Sequence, residues 1–70
     1  MNQKIHKIKI SEMIKEYRGE HKLSQNDFGR LIGVSAQAVF KWENEVCFPD
    51  ITLLPSLADI LRCKIDDFFE

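Results

Sequence analysis

Cysteine is scarce in this chain of 70 residues: Cys47 and Cys63 are the only two, they form no close Cys-x-x-Cys pair, and His6 and His21 lie far from both in sequence. That spacing excludes the usual zinc and dithiol motifs, so no metal and no cofactor is expected. Both cysteines read as reduced thiols, Cys63 filling core and Cys47 in a loop. Long apolar runs are lacking too. No stretch exceeds three residues, where a bilayer demands roughly 20. The opening MNQKIHKIKI has no continuous apolar core of the kind a secretion signal carries. No membrane partner and a cytoplasmic location are therefore expected. The chain also has no Ser/His/Asp or Cys/His constellation and no glycine-rich phosphate cradle, and its acidic pairs fall on short solvated segments, so an enzyme is not expected. Repeats and low-complexity segments are missing, and aromatics make up only 10%. Long aliphatic side chains outnumber them, which favours helices over a β-sandwich. A chain this short makes one domain that hides only about 60% of its unfolded surface.

Charge of one sign is not in excess overall, since the net value is −1, but it is unevenly placed. Residues 1 to 41 carry eight basic side chains (Lys4, Lys7, Lys9, Lys15, Arg18, Lys22, Arg30 and Lys41) against four acidic ones, whereas residues 42 to 70 carry two against seven. Such an asymmetry points to a polyanion at one face and to something else at the other.

Apolar spacing then places the elements. Ile10, Met13, Ile14 and Tyr17 form one stripe of a helix over about 9–20. Ser24, with Asp27 three residues on, has the form of a capping box, and Phe28, Leu31 and Ile32 supply the buried stripe of a second helix over about 25–32. Gly33 permits a sharp turn at positive φ, and Ser35 caps a third helix over about 36–44. Pro49 closes a loop. Ile51, Leu54, Leu57, Ala58 and Leu61 then mark a fourth helix over about 52–61, capped by Thr52 or Asp50, with Pro55 confined to its first turn. A last short helix over about 65–69 packs Ile65 and Phe68. The predicted architecture is all-α with five helices, residues 10–70 forming the domain and residues 1–9 a basic N-terminal arm.

Two short helices joined by a glycine turn match a helix-turn-helix, whose second helix enters the DNA major groove. Gly29 sits mid-helix, where glycine costs roughly 1 kcal/mol against alanine, and close approach of the third helix would explain it. With Val39 and Trp42 setting the core direction, Gln37, Phe40, Lys41 and Asn44 point outward, and Ala36 projects from the helix N-terminus, leaving the groove approach open. Glutamine can bond adenine bidentately and lysine can donate to guanine or phosphate, so Gln37 and Lys41 are the candidate base readers. Gln25, in the first turn of the second helix, is a candidate phosphate anchor.

The stretch LSQNDFGRLIGVSAQAVFKWENE, followed by PDITLLPSLADIL and IDDFF, resembles the Cro/C1-type (XRE family) helix-turn-helix domain of lambdoid phage repressors and small bacterial regulators. The likeness covers about 10–69. It implies a compact five-helix, lambda-repressor-like fold, sequence-specific binding to operator DNA as a transcription regulator, most commonly a repressor, and a two-fold homodimer on a palindrome. It carries phosphate contacts onto Gln25, Ser35 and Asn44, and an ion pair beneath the DNA face onto Arg18 and Glu43. Where family members often have a long polar residue this chain has Ala36, and where they have a small polar one it has Phe40, so their base preference does not transfer. Lys22 and Arg62 stand where the family often ends a helix with glycine, implying strain at positive φ. The loop Val46-Cys47-Phe48 lacks the basic residues some repressors place on phosphate, which shifts weight to Lys4, Lys7 and Lys9. A dimer would use the region of the last two helices, with Phe69 at its centre. The same fold also serves antitoxins and controller proteins that bind a protein partner besides DNA. A pure protein-interaction module is the further alternative, given the acidic C-terminal half and the surplus of Phe48, Leu53 and Phe69.

Overall fold

The computed structural model describes residues 8–69. Ile10 and Ile14 are buried in α1 (Ile10–His21), with Met13 and Tyr17 half-buried beside them, so the apolar stripe does face inward. The helix ends at Lys22, whose φ of 55° is left-handed. A β-carbon is strained there, and glycine would not be. The next turn is short because Ser24 restarts the chain as a cap. The Asp27 amide donates to Ser24 Oγ at 2.9 Å and the Ser24 amide donates to Asp27 Oδ2 at 3.2 Å, closing a capping box on α2 (Gln25–Ile32). The Ser24 backbone amide first, and then the Ser24 hydroxyl, hold the Asp27 carboxyl below the usual carboxylate range.

Gly33 ends α2 at φ 90°, its amide donating back to the Gly29 carbonyl at 2.7 Å. A β-carbon on Gly29 would lie 2.5 Å from the Val34 carbonyl oxygen and 3.3 Å from the Ser35 carbonyl. The close approach that requires glycine therefore comes from the turn entering α3 (Ala36–Glu43), one step earlier than helix 3 itself. Ser35 caps α3 by accepting from the Ala38 amide at 3.1 Å. Beyond it, Glu45 adopts φ 60°.

The fourth helix starts later than the apolar spacing predicts. Ile51–Leu53 form a 3-10 turn, capped by Asp50 accepting from the Thr52 amide at 3.0 Å, and α4 spans Leu54–Leu61. Pro55 gives the reason. It has no N–H to offer the carbonyl four residues back, that of Ile51, which accepts instead from the Leu54 amide in 3-10 fashion. Arg62 ends α4 at φ 56°. The C-terminal element is likewise a 3-10 turn, Ile65–Phe68, after which Phe69 turns extended and bridges antiparallel to Ile8.

The core gathers Ile10, Ile14, Phe28, Val39, Trp42, Leu57, Ala58 and Phe68 from every helix and the last turn. Three expected members stand outside: Leu31, Ile51 and Ile65 are exposed. On α2 the buried residues are Phe28 and Gly29, so the inward arc is centred on the glycine side and rotates Leu31 away from it. Ile51 and Ile65 each open a 3-10 turn, whose three-residue period does not continue the α-helical stripe. Ile8 and Lys9 belong to the folded body, the Lys9 amide donating to the Phe68 carbonyl at 2.7 Å. Lys4, Lys7 and His6 lie outside the described residues.

Candidate nucleic-acid interface

Eight residues of α3 divide cleanly by face. Val39, Trp42 and Glu43 are buried, and Gln37, Phe40 and Lys41 are exposed along the opposite side, continued by Asn44 just past the helix end. Ala36 is half-buried at the N-terminus, beside the exposed cap Ser35. Trp42 and Val39 anchor the helix through apolar burial, and the remaining inward position, Glu43, needs a partner because an unpaired buried carboxylate is costly.

Arg18 of α1 supplies it. Its Nε donates to Glu43 Oε2 at 2.6 Å and its Nη2 to Glu43 Oε1 at 2.8 Å, a bidentate pair, while Nη1 donates to the Leu23 carbonyl at 2.9 Å. The Arg18 side chain is 23% exposed and that of Glu43 4%. Burial alone would push the Glu43 carboxyl up, but hydrogen bonds from Arg18 and Gln25, with the charges of Arg18 and Lys15, leave it below its ordinary value. The same hydrogen bond raises the Arg18 guanidinium.

Gln25, half-buried in the first turn of α2, donates from Nε2 to Glu43 Oε1 at 3.2 Å. The expected phosphate anchor is thus joined to α3 through the buried carboxylate. Nothing in the spacing of Gln25 and Glu43 signals this link. Asn44 Nδ2 donates to the Phe40 carbonyl at 2.8 Å, closing the α3 C-terminus, and Ser35 Oγ is engaged by its cap. Ser11, buried in α1, donates to Glu45 Oε2 at 3.2 Å and so ties down the left-handed residue that follows α3. Sequence reasoning passes over this pair, because neither Ser11 nor Glu45 belongs to a local motif. The arrangement fixes α3 on its inward side and leaves a polar and aromatic outward face. Among the described residues no three His, Cys, Asp or Glu are grouped to hold a metal ion, and no helix is long and apolar enough to cross a membrane.

A capped helix pair closed over Gly29, the second helix showing an exposed face of Gln37, Phe40, Lys41 and Asn44, defines a helix-turn-helix DNA-binding domain. The helix-turn-helix family model matches residues 14–68. Among curated proteins, the chain is 34% identical over 60 residues to an uncharacterized helix-turn-helix-type transcriptional regulator of Methanocaldococcus jannaschii, covering 86% of this chain and 91% of that protein. Among solved structures, it superposes on the P22 c2 repressor bound to a synthetic operator with a TM-score of 0.75 at 30% identity, covering 84% of this chain and 89% of the repressor chain. It also matches part of hydroxypropylphosphonic acid epoxidase from S. wedmorenis, with a TM-score of 0.70 at 25% identity, covering 96% of this chain and 36% of the enzyme. The chain belongs to the helix-turn-helix family of the Cro/C1 type, and its class is that of sequence-specific, DNA-binding transcription regulators.

Proposed function

We propose that this regulator lays α3 in the major groove of a specific duplex site and acts there as a repressor. Gln37 and Lys41 read base edges from the groove side, Ala36 gives the helix room to enter, and Gln25, Ser35 and Asn44 grip the backbone. The observation that carries the reading is the two-faced α3: Val39, Trp42 and Glu43 are locked inward, and Gln37, Phe40, Lys41 and Asn44 are presented together. A helix of that kind fits a groove about 12 Å wide, and its side chains match what adenine and guanine display there. The likeness to a repressor in complex with its operator supports both the partner and the sense of regulation.

Two copies bind as a homodimer through α4, the last 3-10 turn and the exposed Phe69 that follows it. Two-fold symmetry then spaces the reading helices about 34 Å apart, one turn of duplex. The basic arm with Lys4 and Lys7, together with Lys9 where it joins the folded body, adds phosphate contacts that the loop Val46-Cys47-Phe48 does not offer. The protein works in the cytoplasm, without catalysis and without a cofactor. A protein partner besides DNA, as for an antitoxin or controller, is favoured by one observation, the exposed side chains of Val46, Phe48 and Ile51 clustered in sequence between α3 and α4.

Selection of bound duplexes from a random pool, followed by sequencing, tests the reading. A palindromic site bound with steep salt dependence is the expected result. A purified, folded chain that enriches no duplex and shifts none at low salt would assign the α3 face to a protein partner instead.

A further inference from the structure

Phe40 stands apart on the reading face. The residue is 49% exposed, one turn beyond Gln37 and adjacent to Lys41, on a helix whose carbonyl at this position is tied by Asn44. A phenyl ring can neither donate nor accept the hydrogen bonds by which bases are usually told apart. Laid against an exocyclic amine or a carbonyl, it would strip water from a polar group and return nothing. Among the substituents that base pairs project into the major groove, the C5-methyl of thymine is the apolar one.

We infer that Phe40 is a specificity-determining residue that reads a pyrimidine C5-methyl in the major groove. The inference rests on the DNA-reading role proposed above and adds the chemical class of the group recognised. Side chains three apart on a helix are neighbours, with β-carbons about 5–6 Å apart, and base pairs stack about 3.4 Å apart. Gln37 and Phe40 therefore address the same or successive base pairs, and the half-site contains a methyl-bearing pyrimidine beside the adenine that Gln37 reads. In an unmodified duplex that pyrimidine is thymine. In a methylated one, 5-methylcytosine presents the same group from the same ring position.

The test uses the whole chain and the duplex site obtained by selection. Each thymine is replaced in turn by uracil, which pairs identically but lacks the methyl, and cytosine is then compared with 5-methylcytosine at the sensitive position. Removing one buried methyl from the contact weakens binding by about fourfold, so uracil costs about that factor at one position per half-site. 5-Methylcytosine regains a similar factor over cytosine. A response to uracil alone supports the inference with thymine as the sole source of the methyl, and a response in both arms adds methylated cytosine as a second. Phe40→Ala, which removes an exposed side chain and leaves the core intact, brings both ratios to one. Ratios that persist in that variant assign the methyl to another residue and overturn the inference. Indifference to uracil on a site that is bound specifically also overturns it, leaving the DNA reading intact, whereas failure to select any duplex overturns both.

Discussion

Replacing Arg18 with methionine, which keeps most of the stem and removes the guanidinium, isolates what the buried pair does for the fold. The variant leaves Glu43, with a side chain 4% exposed, without its bidentate partner and without the group that also holds the Leu23 carbonyl. Removing one member of a shielded pair costs about 3–5 kcal/mol, because the other charge stays buried. We expect about 3 kcal/mol here, at the lower edge, since Gln25 still donates to Glu43 and Arg18 is itself partly solvated. A domain of this length has a total stability of about 4–10 kcal/mol, so the variant loses a large fraction of it. Urea unfolding followed by the emission of Trp42 measures the loss, because this sole tryptophan is buried in α3 next to Glu43. The pH dependence separates a shielded pair from a surface one. Glu43 has a folded pKa below its ordinary value, so its contribution is present above the unfolded value of about 4.3 and disappears as pH falls through the folded one. In the variant burial prevails and the carboxyl is pushed up, so the penalty is greatest near neutrality and is relieved as the group protonates. The difference between wild type and variant should therefore be larger at pH 7 than at pH 3. A difference below about 1 kcal/mol at pH 7, the range of exposed ion pairs, or one equal at both pH values, would refute the reasoning. Arg18→Lys should fall between, since an ammonium cannot span both carboxylate oxygens and the Leu23 carbonyl.

Gly29→Ala should destabilise by about 2 kcal/mol despite the better helix propensity of alanine, because the added carbon meets the Val34 carbonyl oxygen at 2.5 Å and the turn backbone must move; thermal unfolding with no loss would contradict the close-approach account. Lys22→Gly should stabilise by about 0.5–1 kcal/mol, the relief of left-handed strain less the extra freedom of the unfolded chain, and a drop in Tm would count against it. In binding, Gln37→Ala should cost about 1–3 kcal/mol of discrimination at one base pair per half-site, whereas Gln25→Ala should weaken specific and nonspecific duplexes by similar factors. Uniform weakening by Gln37→Ala across single-base operator variants would reassign the base reader.

The helices are legible in the sequence where their signals are local. Ser24 with Asp27 announces the start of α2 and Gly33 its end, and the stripe Ile10, Met13, Ile14, Tyr17 needs no knowledge of what it packs against. Legibility fails where a neighbour decides. Leu31 has the right spacing for burial, yet Gly29 draws the turn before α3 onto its own side of α2 and leaves Leu31 outside. Ile51 and Ile65 continue an α-helical pattern in sequence, but Pro55 and the shortness of the last element turn their segments into 3-10 geometry, and the phase is lost. The left-handed turn at Glu45 is invisible for a related reason: its support comes from Ser11, 34 residues away.

The proposed interface divides along the same line, and that division would let one frame serve different operators. The inward half of α3 is over-determined by the fold, since Val39 and Trp42 fill core and Glu43 answers to Arg18 from α1 and to Gln25 from α2. A single buried carboxylate thereby sets α3 in register with the start of α2, where Gln25 is proposed to meet the backbone. Displacing Glu43 would move α3 and the Gln25 side chain together, and with them the base reading and phosphate grip proposed for them. The outward half has no such constraint. Gln37, Phe40 and Lys41 are exposed, and the packing of the core would accept other side chains in their places. Composition and periodicity can therefore locate the face but not name its base, because folding writes nothing there. What the face reads must follow from the chemistry of those side chains against a groove: an amide for adenine, an ammonium for guanine or phosphate, and a phenyl ring for which the groove holds only a methyl group.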